Sequence, residues 1–90
     1  NRILEFFLES EGLDYGIGDV SLETGLNRAT TYNTMAELIK NKYVTPTRVL
    51  SGAQLYNLNT KKKEVKILLN SFKEVLKIIL NEYGKKITVR

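Results

Sequence analysis

Residues 24–44, TGLNRATTYNTMAELIKNKYV, contain the feature that decides the fold, a short turn followed by an amphipathic helix. Gly25 is typical of a left-handed helix end, and Asn27 is a good cap for the next helix. The helix opens with a small polar cluster, which is well suited to contacting a partner. Side chains at helical spacing form its predicted inward face, namely Thr31, Met35, Leu38 and Ile39.

Upstream of this turn the sequence predicts two short helices. Residues 2–9 carry apolar side chains at helical spacing and predict a first helix that ends near Gly12. Two glycines around Ile17 then indicate an extended link. Asp19 is the predicted cap of a second helix, which stops at Gly25. A short glycine-containing turn between two helices is typical of a helix-turn-helix pair.

Downstream of the turn the sequence changes to β character. Residues 44–50 and 54–58 are β-leaning runs joined by residues 51–53, so they predict a hairpin with a short loop. Arg48 lies on this hairpin, and few acidic residues are near it in the sequence.

The longest predicted element is a helix that runs from a potential cap at Thr60 to a potential end at Gly84. About 23 residues span about 35 Å, which is longer than a small domain can cover. We therefore expect the excess apolar surface to be buried against a second copy. Apolar residues repeat at intervals of four and three, the spacing of a coiled coil, and the predicted dimerisation seam is Val65, Leu69, Phe72, Leu76, Ile79 and Tyr83.

The composition argues against an enzyme. The chain of 90 residues has no cysteine and no histidine, which excludes disulfides, zinc sites of the usual kinds and the most common general base. Carboxylates at Glu9 and Glu11 have no basic or metal-binding complement nearby in the sequence. We expect neither catalysis nor a cofactor. Charged residues interrupt the apolar stretch of residues 65–83, so the sequence predicts no membrane span, and we expect a cytoplasmic protein.

Charge is distributed unevenly along the chain, whose net charge is +4. Residues 1–26 contain one basic and six acidic groups, whereas residues 27–63 contain seven basic groups and one acidic group. The basic part begins where the helix after the turn begins. This distribution favours a face turned toward a polyanion, although a lysine-rich surface that serves only solubility is the alternative.

The order of these elements resembles the winged helix-turn-helix transcription regulators, in particular the small MarR-like, ArsR-like and TrmB-like proteins of bacteria and archaea. The resemblance covers residues 3–58 and rests on residues 17–45, IGDVSLETGLNRATTYNTMAELIKNKYVT. It implies a mainly α fold with a small β-hairpin wing (α+β). Residues 1–59 would form the DNA-binding domain, residues 60–84 a dimerisation helix of the same unit, and residues 85–90 a tail.

The resemblance also implies a function. Residues 27–42 would be the recognition helix in the major groove of double-stranded DNA, and residues 44–58 would be the wing. Arg48 would lie near a phosphate or be solvated, and a basic run before the long helix would extend the contact or be solvated. The residues expected to contact DNA are Asn27, Arg28, Ala29, Thr30, Tyr32, Asn33, Arg48, Ser51, Gly52, Lys61 and Lys62.

The expected function is therefore a homodimeric, sequence-specific transcriptional regulator, and the sequence names no effector ligand. Two alternatives remain open. One is an architectural or partition-type DNA binder with little sequence choice. The other is a winged-helix module that binds proteins, in which the polar cluster at residues 27–30 merely caps a surface helix.

Overall fold

The computed structural model describes residues 1–88, with side chains as far as residue 83. The elements follow the predicted order of three helices, a hairpin and a long helix. They are α1 (Arg2–Glu9), α2 (Ile17–Thr24), α3 (Arg28–Lys40), β1 (Val44–Leu50), β2 (Ala53–Leu58) and α4 (Lys63–Thr88). The predicted α+β fold class is confirmed.

The core forms around α1, which contacts α2, α3, α4 and β2. Phe7 is completely buried, and the ring of Phe6 meets Tyr15 edge-on at 4.7 Å between centroids. Burying an apolar side chain of this size contributes about 1.5–3 kcal/mol. The buried cluster consists of Ile3, Phe7, Leu8, Val20, Met35, Leu38, Val44, Leu58, Val65 and Leu69.

The start of α2 differs from the prediction. Asp19 does not precede the helix; it lies in its first turn, and Gly16 is the capping residue. The Asp19 carboxylate accepts a hydrogen bond from the Gly16 N–H at 3.2 Å. A carboxylate in the first turn also interacts favourably with the positive end of the helix dipole, so Asp19 stabilises the start of α2 although it is not the capping residue.

The hairpin turn is one residue shorter than predicted. Only Ser51 and Gly52 connect the strands, with φ angles of 50° and 79°, and Ala53 already belongs to β2. Two left-handed residues give the tight turn that matches the twist of paired strands. Tyr15 exchanges two backbone hydrogen bonds with Tyr56, at 2.8 and 2.9 Å, and so forms an isolated antiparallel bridge beside β2.

Both ends of α4 differ from the prediction. The helix begins at Lys63, because the Asn59 side chain first accepts a hydrogen bond from the Lys61 N–H at 3.2 Å and holds a turn. It continues through Gly84 to Thr88, so the predicted helix end at Gly84 is wrong. Residues 85–88, which were predicted to be a tail, belong to the helix. A glycine inside a helix costs only about 1 kcal/mol relative to alanine, which does not by itself stop a helix. Residues 89 and 90 lie outside the described residues.

The two halves of α4 have different surroundings. Val65 and Leu69, the first two residues of the predicted dimerisation seam, are buried in the domain's own core, and Phe72 is partly buried against it. Val65 and Leu69 therefore face the domain itself and not a second copy. A domain this small needs that half-helix to close its core. Leu76, Ile79 and Tyr83 are 42%, 43% and 59% exposed. The protruding half makes the molecule 51 Å long and 28 by 22 Å across.

Candidate nucleic-acid interface

Hydrogen bonds fix the turn between α2 and α3. Gly25 has a φ angle of 73°, and its N–H donates to the Ser21 carbonyl at 3.0 Å, as predicted for a left-handed helix end. The Ser21 hydroxyl donates to the Leu26 carbonyl at 2.8 Å, and the Leu26 side chain packs against the core. Arg2 reaches the Thr24 carbonyl from α1, with Nη1 at 3.2 Å. The crossing of the two helices is therefore set by local bonds and by packing.

The start of α3 is capped and exposed. The Asn27 side chain accepts a hydrogen bond from the Thr30 N–H at 2.8 Å, which confirms the predicted cap. Thr31 is fully buried and its hydroxyl donates to the Asn27 carbonyl at 2.8 Å, which anchors the first turn to the core side. The outer face of this turn carries the predicted contact residues, all of them exposed: Asn27, Arg28, Ala29, Thr30, Tyr32 and Asn33.

A cleft of about 570 Å³ separates the beginnings of α2 and α3 from the hairpin turn. The Arg28 guanidinium lies against α2 at Gly18. Its Nη2 is 3.5 Å from the position that a Cβ atom on Gly18 would occupy. Of the predicted contact residues, this cleft brings together Arg28, Tyr32 and Gly52. The residues that line it are Gly16, Ile17, Gly18, Asp19, Leu22, Arg28, Tyr32, Gly52, Ala53, Gln54 and Tyr56.

The chemistry of this cleft suits an anion with several oxygen acceptors. Arg28 supplies guanidinium donors, and Tyr32, which lines the same cleft, carries a hydroxyl that can donate. Asp19 is the one acidic residue among the described residues of the lining, and it already accepts the Gly16 N–H. Phosphate oxygens of a nucleic acid backbone are the usual partners of such guanidinium, hydroxyl and amide groups.

Arg48 lies outside this cleft and is paired with an acidic residue. Its Nε and Nη2 donate to the two carboxylate oxygens of Asp14 at 3.0 and 3.3 Å, and the Thr47 hydroxyl donates to the same carboxylate at 2.6 Å. The hydrogen bond from Arg48, followed by that from Thr47, lowers the pKa of Asp14. Arg48 has few acidic neighbours in the sequence, as expected, but the fold places the carboxylate of Asp14 against its guanidinium.

A β-bulge creates this arrangement. The register of β1 and β2 shifts between Pro46 and Val49, which leaves Thr47 and Arg48 as consecutive residues outside the regular pairing. A bulge bends the strand and redirects side chains, and here both adjacent side chains reach Asp14. Arg48 lines a second cleft of about 440 Å³, together with Asp14, Tyr15, Asp19, Leu22, Glu23, Leu50 and Leu55.

The predicted lysine contacts lie at the opposite end of the hairpin from its turn. A strand of seven residues spans about 20 Å. The Lys62 Nζ is 3.7 Å from the Glu64 carboxylate and 5.1 Å from the centre of the Tyr43 ring, so its charge is already engaged, whereas Lys61 is exposed. The predicted DNA-contacting residues therefore fall into three places. These are the start of α3 with the hairpin turn, the pair with Asp14, and the hairpin base.

Sequence reasoning missed several residues of the site. Gly16, Gln54 and Tyr56 join the cleft from elements distant in the chain, and Asp14 lies 34 residues before Arg48. Local patterns carry no signal for such pairs. Within residues 1–88, no cluster of carboxylates that could hold a metal ion is found, and no helix is long and apolar enough to cross a membrane.

Comparisons with known proteins give similarity in structure. No protein-family model matches the chain, and no curated protein matches it in sequence. A possible transcriptional regulator from Methanosarcina mazei Go1 superimposes with a TM-score of 0.61 at 14% identity, over 93% of this chain and 72% of that chain. The AntR antimony-specific transcriptional repressor gives 0.59 at 16% identity, over 94% and 68%.

A third solved structure, Sso10a-2, a DNA-binding protein from Sulfolobus solfataricus, gives a TM-score of 0.57 at 22% identity, over 98% of this chain and 88% of that chain. At such identities the similarity is one of fold, and it extends over almost the whole chain. The capped α3 after a tight turn, the hairpin behind it and the long last helix agree with the resemblance expected from the sequence. The chain has a winged helix-turn-helix fold, extended by a long C-terminal helix.

Proposed function

We propose that this protein binds double-stranded DNA as a homodimer and regulates transcription, with the start of α3 in the major groove. The observation that carries the proposal is the exposed, polar and capped start of α3 beside the cleft that holds Arg28 and Tyr32. Similar solved structures described as transcriptional regulators and as a DNA-binding protein support it. Such a regulator would act in the cytoplasm without enzymatic turnover or a cofactor.

The residues at the start of α3 have distinct proposed roles. Ala29 has the smallest side chain of the exposed cluster and lets the backbone approach DNA closely. Arg28 forks onto guanine or grips a phosphate, and Asn33 pairs with adenine through its amide. Thr30 and Tyr32 reach phosphates. The N-terminal end of α3 adds the positive end of the helix dipole, which favours a nearby anion.

Electrostatics would supply most of the affinity. The stretch of residues 27–63 contains seven basic groups and one acidic group, and the hairpin turn at Ser51 and Gly52 is uncharged. Phosphate contacts release counterions, so affinity should fall steeply as salt rises. Sequence discrimination would then come from Arg28 and Asn33, because contacts to base edges carry the sequence information.

Dimerisation is the second part of the proposal. The protruding half of α4 exposes apolar side chains that soluble monomers seldom leave in contiguous patches. A second copy on this half would place two recognition helices in successive major grooves, about 34–36 Å apart, on a palindromic site. The exposed apolar residues of α4 are Ile67, Leu68, Val75, Leu76, Ile78, Ile79, Leu80 and Tyr83.

Fluorescence anisotropy tests DNA binding directly, with a labelled random duplex and with a duplex selected for tight binding. We expect binding that weakens strongly between about 50 and about 200 mM salt, and a loss of about 1–3 kcal/mol on a preferred site for Arg28→Ala. Lys66→Ala is the matched control, because it removes the same charge from an exposed position on α4. It should leave the preference among duplexes unchanged.

The outcomes separate the candidate functions. A parent protein that shows no salt-sensitive binding would overturn the proposal and favour a protein-binding winged helix. Equal affinity for random and selected duplexes would favour the architectural binder. That second candidate has a specific observation behind it, since Arg28 is the one charged residue in the exposed start of α3 at residues 27–33.

A further inference from the structure

The hairpin carries a single charge, and that charge is neutralised. Arg48 is the one charged residue in residues 44–58. Its guanidinium presents the Nε–Nη2 edge to both oxygens of Asp14. That edge is one that arginine uses to grip a phosphate with two parallel hydrogen bonds. The carboxylate therefore occupies a donor edge that a DNA phosphate would take.

The pair is held more firmly than an ordinary surface ion pair. The Thr47 hydroxyl donates to Asp14, and the Gln54 side chain donates to the Arg48 carbonyl at 3.1 Å. Asp14 immediately precedes Tyr15, which is fixed to β2 by two backbone hydrogen bonds. An isolated exposed pair contributes little, but here both partners are positioned by other bonds. The bulge in β1 thus aims Arg48 at Asp14.

We propose that Asp14 is a positioning residue that withholds Arg48 from DNA phosphates and so limits the non-specific affinity of the hairpin. The inference rests on the proposed DNA binding and deepens it. With Arg48 neutralised and an uncharged turn, the hairpin adds no net charge to the interface. The affinity for DNA then comes from α3 and the lysines. Base contacts contribute a larger share of the binding free energy, which favours discrimination between sites.

The test compares four variants with the parent on a labelled random duplex at about 50 and about 200 mM salt. Asp14→Asn should raise the affinity about threefold to tenfold at low salt and steepen the salt dependence by about one unit of slope. Glu9→Gln is the matched control, because it removes one negative charge from an exposed residue of the same acidic segment. It should raise the affinity by less than about twofold.

The double variant Asp14→Asn/Arg48→Gln is the decisive comparison with the parent, because it removes both charges of the ion pair together. Its affinity and salt slope should stay within about twofold of the parent, since the pair that it removes has no net charge. Arg48→Gln alone should weaken binding, because it leaves the negative charge of Asp14 unpaired, and adding Asp14→Asn should restore the affinity. In the double variant Asp14→Asn/Arg48→Gln, the gain from Asp14→Asn should disappear. Thermal unfolding of each variant reports whether it is folded.

Three results would overturn the inference while leaving the proposed DNA binding intact. The double variant could bind more weakly than the parent, as it would if Arg48 contacts a phosphate in the parent. Asp14→Asn could match Glu9→Gln, or its gain could persist in the double variant. A parent protein without salt-sensitive binding would instead overturn the proposed function and this inference together.

Discussion

Single residues with special backbone geometry set the turn on which the proposed interface depends. Gly25 has left-handed φ and Gly18 does not, although both are glycines of the same helix pair. A side chain at Gly25 would meet no atom within 4 Å other than those of its own chain neighbours, so conformation rather than space restricts that position. At Gly18 a Cβ would meet Arg28 at 3.5 Å, an ordinary contact distance. The two positions should therefore respond oppositely to alanine.

Gly25→Ala should lower the free energy of unfolding by about 1–2 kcal/mol, because an L-residue is strained in the left-handed region. Gly18→Ala should leave it unchanged or raise it by up to about 1 kcal/mol, because alanine favours helix more than glycine does. Urea unfolding followed by circular dichroism measures both. Equal losses would show that the turn does not depend on the backbone of Gly25.

Asp14 makes stability depend on pH in a defined direction. Its pKa is lowered below the ordinary value of 3.8 by Arg48 and Thr47, so the folded state favours the charged carboxylate. A lowered pKa stabilises the fold above the unfolded pKa, and this contribution is lost as pH falls through the folded pKa. The difference in unfolding midpoint between the parent and Asp14→Asn should be larger at about pH 7 than at about pH 3. A difference that does not change with pH would contradict the pairing.

At the scale of elements, the hairpin shows how turn chemistry and register act together. The two-residue turn holds Ser51 in the left-handed region, where serine is not the preferred residue. The bulge at Thr47 and Arg48 bends β1 back toward the link between α1 and α2. Pro46 and this bulge also interrupt β1, an edge strand, in the way that proteins protect such edges from pairing with other chains.

Ser51→Asn should therefore stabilise the hairpin by a few tenths to about 1 kcal/mol, because asparagine followed by glycine is the preferred pair for this turn. Ser51→Val should destabilise it, since a β-branched residue is strained at positive φ. Hydrogen exchange of the β1 and β2 amides gives the local readout. An increased exchange rate in Ser51→Asn would be inconsistent with the turn geometry described above.

At the scale of the whole molecule, α4 divides into a half that completes the core and a half that projects beyond it. Lys73 of α4 forms an ion pair with Glu11 in the loop after α1, with 3.0 Å between Nζ and the carboxylate. Beyond this point the apolar side chains of the described chain are between 42% and 59% exposed. The proposed DNA spacing depends on a second copy at this position.

Leu76→Glu should shift the protein from dimer to monomer and weaken DNA binding, because a charge in an apolar interface is costly. Asn81→Glu places the same charge on the polar side of α4 and is the control, with dimerisation expected to be retained. Sedimentation velocity measures the association. A monomeric parent, or equal effects of the two variants, would argue against dimerisation through this surface.

Features that depend on nearby residues could be predicted from the sequence. The helix spans, the left-handed Gly25, the Asn27 cap and the exposed polar face of α3 all depend on neighbours within one or two helical turns. The boundaries of the elements are harder to predict. Asp19 stabilises α2 from within its first turn, so it does not mark where the helix begins. Gly84 lowers the stability of α4 too little to end the helix. These errors concern where elements end and leave their order unchanged.

By itself, the sequence determined the order of elements, the capped turn and the separation of acidic and basic segments, because local propensity and hydrophobic periodicity act over a few residues. Only the tertiary structure decided that Val65 and Leu69 close the core, that the hairpin turn meets Arg28 across a cleft, and that Asp14 neutralises Arg48. These contacts join residues far apart in the chain. Their partners are chosen by how the elements pack, and no local pattern encodes that choice.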